Sequence, residues 1–428
     1  MNPFKEPARP VEDYLQSFKD VYPFHYDKRE TDPYTKARII LAAGAEYEAN
    51  WFTHQMQRQI TDTDLKRELA LSRFIEKEQQ QKLAQLKPID ETVLETTITY
   101  EQLAVDLTAE MAQKEENYNV KKALDFALLE DFDHLYRFSN LLDYDDGIKA
   151  ENLVGKYTEI TPARPTVAHH RHPYDNIKKD VCAKENTTQT ILNTLIITAA
   201  EQQTMNFYMN HAADYKNDAG RKLYQEICLV EEEHVSQYGS LIDTKADFFE
   251  CLLWHEFSEC YVYWSNYMTE KDEKIKAIWE YYFQAELSHL AAARKLLKKY
   301  DKKDYAEVIV DPNFPDPLSL HQNIDYVRNI LSDSVQFTGN KEDYKNIGDM
   351  PKSARFFSYN SEINDPIKDA ASHKVIENRI KTAKTDYRFE VKDNPIESLR
   401  DRKKDNTEVG INPAAANTDK GFTPLNKG

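Results

Sequence analysis

What this chain lacks narrows its possibilities first. It has only 10 glycines in 428 residues, where a usual share of about 7% would supply roughly thirty, so turn-rich sheet architectures are disfavoured. The four cysteines, Cys182, Cys228, Cys251 and Cys260, are scattered and include no C-x2-C pair. That argues against a disulfide framework and against a rubredoxin-like or zinc-ribbon module in this chain. No apolar run approaches the ~18 residues of a membrane span, and MNPFKEPARPVEDY at the N-terminus has no signal-peptide core. A soluble, cytoplasmic protein is expected. Basic residues are also outnumbered, 56 Lys and Arg against 73 Asp and Glu, giving a net charge of -17. This opposes nucleic acid or an anionic membrane as partner.

What is present is helical periodicity broken at regular intervals. It places eight long helices at 36–60, 63–86, 91–117, 119–143, 187–214, 219–243, 246–270 and 273–300, with ends good to about two to four residues. The length suits two domains and an appendage. The expected division is an N-terminal extension (1–35), a helical unit (36–143), a linker (144–186) containing ITPARPTVAHHRHPYDN, a second helical unit (187–300) and an irregular C-terminal region (301–428). Short helices are expected near 319–332 and 364–385. About the last 30 residues have little to bury and are expected to be disordered.

Two helix motifs of one kind stand in the second unit, Glu231-x2-His234 and Glu286-x2-His289, each with a glutamate 30 residues upstream, Glu201 and Glu256. Subtracting 155 from each of the six numbers gives Glu46, Glu76, Gln79, Glu101, Asp131 and His134. All four acid positions stay acidic, and flanking apolar positions keep register, as with Leu41 and Ile196 or Leu141 and Leu296. Internal duplication explains this better than coincidence.

Residues i and i+3 share a helix face, so each E-x2-H motif presents an oxygen and an imidazole side by side. With the two upstream glutamates they make four carboxylates and two imidazoles, whose four negative charges balance two divalent cations. Mixed carboxylate and imidazole donors suit iron or manganese. The tyrosines nearby, Tyr208, Tyr238, Tyr263 and Tyr282, read as packing. The linker histidines His169, His170 and His172 read as ordinary loop residues rather than a site.

On these motifs the chain resembles the ferritin-like di-iron carboxylate superfamily, and rubrerythrin in particular, over 187–300 and more weakly over 36–143. The resemblance implies an all-α fold of two tandem ferritin-like four-helix bundles related by internal duplication, followed by an irregular C-terminal tail. It implies metal ligands Glu201, Glu231, His234, Glu256, Glu286 and His289, with Glu259 as an extra or switching ligand. It also implies two Fe ions, with Mn or mixed Fe/Mn as alternatives. Glu46, Glu76, Glu101, Asp131 and His134 are then a degenerate second site. One departure is the tight connection between the second and third helices of 187–300, where ferritin-like bundles have a long crossover. Either those four helices run up-down-up-down, or the site is built from hairpins of both halves with the linker as crossover. The first is expected, because both second-half hairpins keep their full ligand set.

The function implied is that of an oxidoreductase whose dinuclear centre reacts with oxygen or peroxide and draws on an external electron donor. The alternatives are ferroxidase-type iron handling and a metal-stabilised structural protein on the same scaffold.

Overall fold

A computed structural model describes residues 1–154, 158, 160, 170–334, 337–363 and 369–384. His169 and the tail expected to be disordered lie outside the described residues. The fold is mostly helical. A one-turn helix, α1 (Phe18–Val21), precedes four long ones: α2 (Pro33–Gln59), α3 (Thr63–Gln85), α4 (Val93–Lys114) and α5 (Tyr118–Asp146). After a short α6 (Glu151–Val154) come α7 (Thr188–Asp214), α8 (Asp218–Gly239), α9 (Phe248–Thr269) and α10 (Glu273–Tyr300). The C-terminal region adds α11 (Ile324–Ser334), an antiparallel hairpin of β1 (Phe337–Asn340) and β2 (Asp343–Asn346), α12 (Arg355–Ile363) and α13 (Ala371–Ala383). The hairpin and α12 have no counterpart in the sequence reading.

Polar caps set the helix starts. Asp32, Asn117, Asn217 and Asp272 each accept from backbone N–H groups of the first turn, and Thr92 with Glu95 and Asp247 with Glu250 form reciprocal capping boxes. α5 stops at Gly147, whose φ of 66° is left-handed backbone that glycine adopts without strain. The links inside α2–α3, α4–α5, α7–α8 and α9–α10 are short, so each pair closes as a helical hairpin.

The hairpins then associate across the two halves. α2–α3 packs with α9–α10, and α4–α5 packs with α7–α8, while α2 also lies against α4 and α7 at the centre. There Gly44 admits close approach: a Cβ at that position would stand 3.2 Å from Gln203 Oε1 and 3.4 Å from the Ala199 carbonyl. Buried polar contacts fix the same pairing. Arg38 on α2 donates to Glu270 just after α9 at 3.1 and 3.2 Å, and Trp279 on α10 donates to the same carboxylate at 3.1 Å. At the other pair, Asp145 on α5 accepts from Tyr215 at 2.7 Å and from Asn217 at 2.9 Å, both in the α7–α8 turn.

The expectation that 36–143 and 187–300 each enclose their own ligands is therefore corrected. The reason lies in the connections. Residues 240–247 between α8 and α9 can span less than about 30 Å, whereas a helix of 22 to 27 residues is ~33 to 40 Å long. The chain cannot return along α8, which excludes a ferritin-like crossover within 187–300, and in place of an up-down-up-down bundle α9 packs on α2 of the neighbouring group. Residues 147–187, between α5 and α7, are long enough to make that return.

The outer elements cover these groups. The N-terminal segment buries Tyr14 against Ile75 and Ala285, and Phe4 stacks on Tyr305 at 4.0 Å. α13 packs on α5 and α8. No helix among the described residues is long and apolar enough to cross a membrane.

Candidate metal centre

Helix periodicity turns Glu101 of α4, Asp131 and His134 of α5, Glu201 of α7, and Glu231 and His234 of α8 toward one interior point. All six are at most 1% exposed. Donor atoms of Glu101, His134 and Glu231 lie within 4.8 Å of one another, as do those of Asp131, Glu201 and His234. His134 Nδ1 stands 2.9 Å from Glu231 Oε1. His234 Nδ1 stands 3.1 Å from Glu231, 3.4 Å from Asp131 and 3.7 Å from Glu201. This cluster of four carboxylates and two imidazoles joins the complete hairpin of the second half to the hairpin of the first half expected to be degenerate.

The remaining expected ligands gather elsewhere. Glu256, Glu259, Glu286 and His289 of α9 and α10 meet Glu46 of α2 and Glu76 and Gln79 of α3. Glu76, Glu256 and His289 form one group within 4.8 Å, and Glu256, Glu259 and Glu286 another. The six ligands expected to converge within 187–300 are thus divided three and three between two clusters. Glu259 falls in the second, with one imidazole.

Around the first cluster, burial and the neighbouring Glu231 push the Glu101 carboxyl well above the ordinary range, and burial with Asp131 does the same to Glu201. Burial pushes Asp131 up to about 7. Glu231 goes the other way: against the upward push of burial, His134 and His234 hold it well below the ordinary value. His234 is held well above the usual imidazole range, against burial, by its hydrogen bond to Glu130 and by the nearby carboxylates of Glu201 and Glu231.

Three residues that the sequence reading missed complete this cluster. His234 Nε2 lies 2.7 Å from Glu130 Oε2, so the ring's other nitrogen is left facing the carboxylates. Glu130 in turn takes Arg171 Nη1 at 2.7 and 2.8 Å, and Arg171 also reaches Glu233 at 3.0 Å. Arg171, in the crossover, is fully buried with its guanidinium 5.0 Å from the Phe126 ring centroid. The β1–β2 hairpin closes over it, and a Cβ on Gly339 would lie 2.9 Å from Arg171 Cδ. A carboxylate that orients a histidine through its second nitrogen is the usual outer support of a metal site. The extra acid in LLEDFDH was visible in the sequence. Arg171 had no local signal, because its role depends on where the crossover lands. His170 beside it is buried and His172 half-buried.

The donor set fits a bound metal ion. Both oxygens of Glu201, Glu101 Oε2, Asp131 Oδ1 and Glu231 Oε2 are buried and accept no hydrogen bond. Burying such oxygens unsatisfied costs several kcal/mol, which coordination removes. Several buried Glu and His clusters can thus hold a metal ion. No protein-family model, curated protein or solved structure matches the chain.

Proposed function

We propose that the chain is a dinuclear iron-type carboxylate redox protein on a ferritin-like scaffold, with Glu101, Asp131, His134, Glu201, Glu231 and His234 as ligands. The observation that carries this reading is the set itself: six metal-donating side chains from four helices, buried, with five oxygens accepting no hydrogen bond. Residues 93–239 read in order as a Glu helix, a D-x2-H helix, a long crossover, a Glu helix and an E-x2-H helix. That order supplies the crossover missing from 187–300.

Iron bound in such a set supplies electrons to a small oxidant, oxygen or peroxide. The chain's own residues prepare the site for this. Tyr208 donates to Glu101 Oε1 at 2.5 Å and fixes that carboxylate. The Tyr238 hydroxyl, buried beside Asp131 and Glu201, makes no hydrogen bond, and burial keeps it protonated, so it is available as a hydrogen-bond donor inside the site. Arg171 and Glu130 hold the His234 ring in one orientation. Reducing equivalents must come from a separate donor.

The test is metal analysis of protein purified without added metal, followed by stopped-flow mixing of ferrous-loaded protein with oxygen or peroxide. Fast oxidation in the wild type that is lost in Glu231→Ala supports the proposal. Oxidation at the rate of free ferrous ion in both would leave the metals a structural role.

A further inference from the structure

We infer that the cluster between α2, α3, α9 and α10 is a second metal site of different selectivity. It favours a hard divalent cation of the Mn2+ class more than the proposed redox centre does, and holds it with Glu76, Glu256, Glu259, Glu286 and His289. The inference does not depend on oxygen chemistry at the other site.

Two observations carry it. The first is the state of the donor atoms. Both oxygens of Glu76, both of Glu259, Glu256 Oε2 and His289 Nε2 are buried without a hydrogen bond. His289 Nδ1 lies 3.1 Å from Glu286 and 4.0 Å from both Glu76 and Glu256, so the imidazole stands among the acids. These residues are at most 4% exposed, and so many carboxylates cannot remain together there without a cation or bound protons.

The second observation is Gln79, which occupies the position of His234 in the other cluster (234 - 155 = 79). Its amide nitrogen donates to Glu46 Oε1 at 2.7 Å and to Glu286 Oε1 at 2.6 Å, and Tyr263 donates to the same Glu46 oxygen at 2.5 Å. An N–H donor pointing into the cluster takes up one oxygen of Glu46 and one of Glu286 that a metal would otherwise use, while Glu46 Oε2 stays buried without a hydrogen bond. Besides Glu46, four carboxylates and one imidazole remain. The oxygen share of the donor set rises, and carboxylate-rich sets suit manganese where imidazole suits iron.

The experiment is anaerobic loading of the full-length apoprotein with equal Mn2+ and Fe2+, then crystallography with anomalous differences at the two metal edges. The expected result is a manganese-to-iron ratio about tenfold higher among Glu76, Glu256, Glu259 and His289 than among Glu101, Asp131, Glu201 and His234. Equal ratios, or no metal peak at the former, would overturn the inference. In solution, Glu259→Gln should lower bound Mn2+, read by electron paramagnetic resonance, while leaving the iron bound among Glu101, Asp131, Glu201 and His234 unchanged. Unchanged Mn2+ in a folded Glu259→Gln protein would also overturn it.

Discussion

The two buried clusters occupy corresponding places in the helices and differ most in what stands behind one ligand. In one, His234 is backed by Glu130, and Glu130 by Arg171, which also holds Glu233. Subtracting or adding 155 gives the matching positions in the other: Gln79, Ala285, Gln16 and Glu78. The last two still touch, since the Gln16 backbone N–H donates to Glu78 at 3.1 Å. The imidazole, the carboxylate behind it and the guanidinium behind that are all replaced together, and Tyr14 and Ile75 fill the space against Ala285. An imidazole ligand is best oriented when its second nitrogen is held. Without that support, an amide that bonds the surrounding acids is the better occupant.

The strongest way to break the contrast is to remove the support. Arg171→Met should lower iron affinity at the His234 cluster about 10- to 100-fold, as losses of outer-shell partners do. It should also destabilise the fold by roughly 3 kcal/mol, because Glu130 keeps a buried charge without its main partner. Chelator competition and thermal melting read the two effects. Gln16→Ala, at the matching position, should change neither iron affinity nor the melting temperature appreciably.

The converse change sharpens it. Gln79→His combined with Ala285→Glu should raise iron binding at the α2, α3, α9 and α10 cluster about tenfold, while Gln79→His alone should gain less because nothing holds the new ring. Site-resolved metal occupancy checks this.

Both clusters should release protons on loading. Burial pushes Asp131 and Glu76 up to about 7, and nearby carboxylates, Glu286 foremost, hold His289 near 10 against the downward push of burial. These groups hold protons near neutral pH that a metal must displace, so affinity should rise as pH increases from 5 to 8. Calorimetric titration in buffers of different ionisation enthalpy counts the protons. Affinity independent of pH would contradict the assignment of these residues as ligands.

The smallest effect is a control outside both clusters. Burial raises Asp106 to about 7, against hydrogen bonds from Thr158 and Tyr34. A carboxyl raised in the folded state stabilises most below its unfolded pKa and loses that contribution as pH climbs to about 7. Asp106→Asn should therefore gain about 1 to 3 kcal/mol of stability relative to wild type between pH 4 and pH 8, with metal content unchanged. Denaturant melts at the two pH values measure it.

Much of this was legible in the sequence. All eight long helices were, because turn and breaker residues separate long helix-forming runs and their caps are plain. The residues of the two clusters were legible too, since Glu, Asp and His at matched spacings on mid-helix faces have little other reason to recur. Which ligands meet was not. Glu201 and Glu256 look equivalent in the sequence, and the short α8–α9 connection suits an up-down-up-down bundle as well as pairing across the halves, so it does not tell that they join different clusters. Arg171 was invisible for the same reason: its meaning comes from the path of the crossover, and the period of a helix carries no information about that path.

The central claim is that the redox centre is completed across the two halves, and two histidine variants test it most directly. His134 comes from the first half and His289 from the second. The account predicts that His134→Ala loses the iron that reacts rapidly with oxygen or peroxide, while His289→Ala keeps that iron and its rate. The opposite result, with His289→Ala inactive and His134→Ala unaffected, would mean that residues 187–300 form the centre by themselves, and would contradict the account.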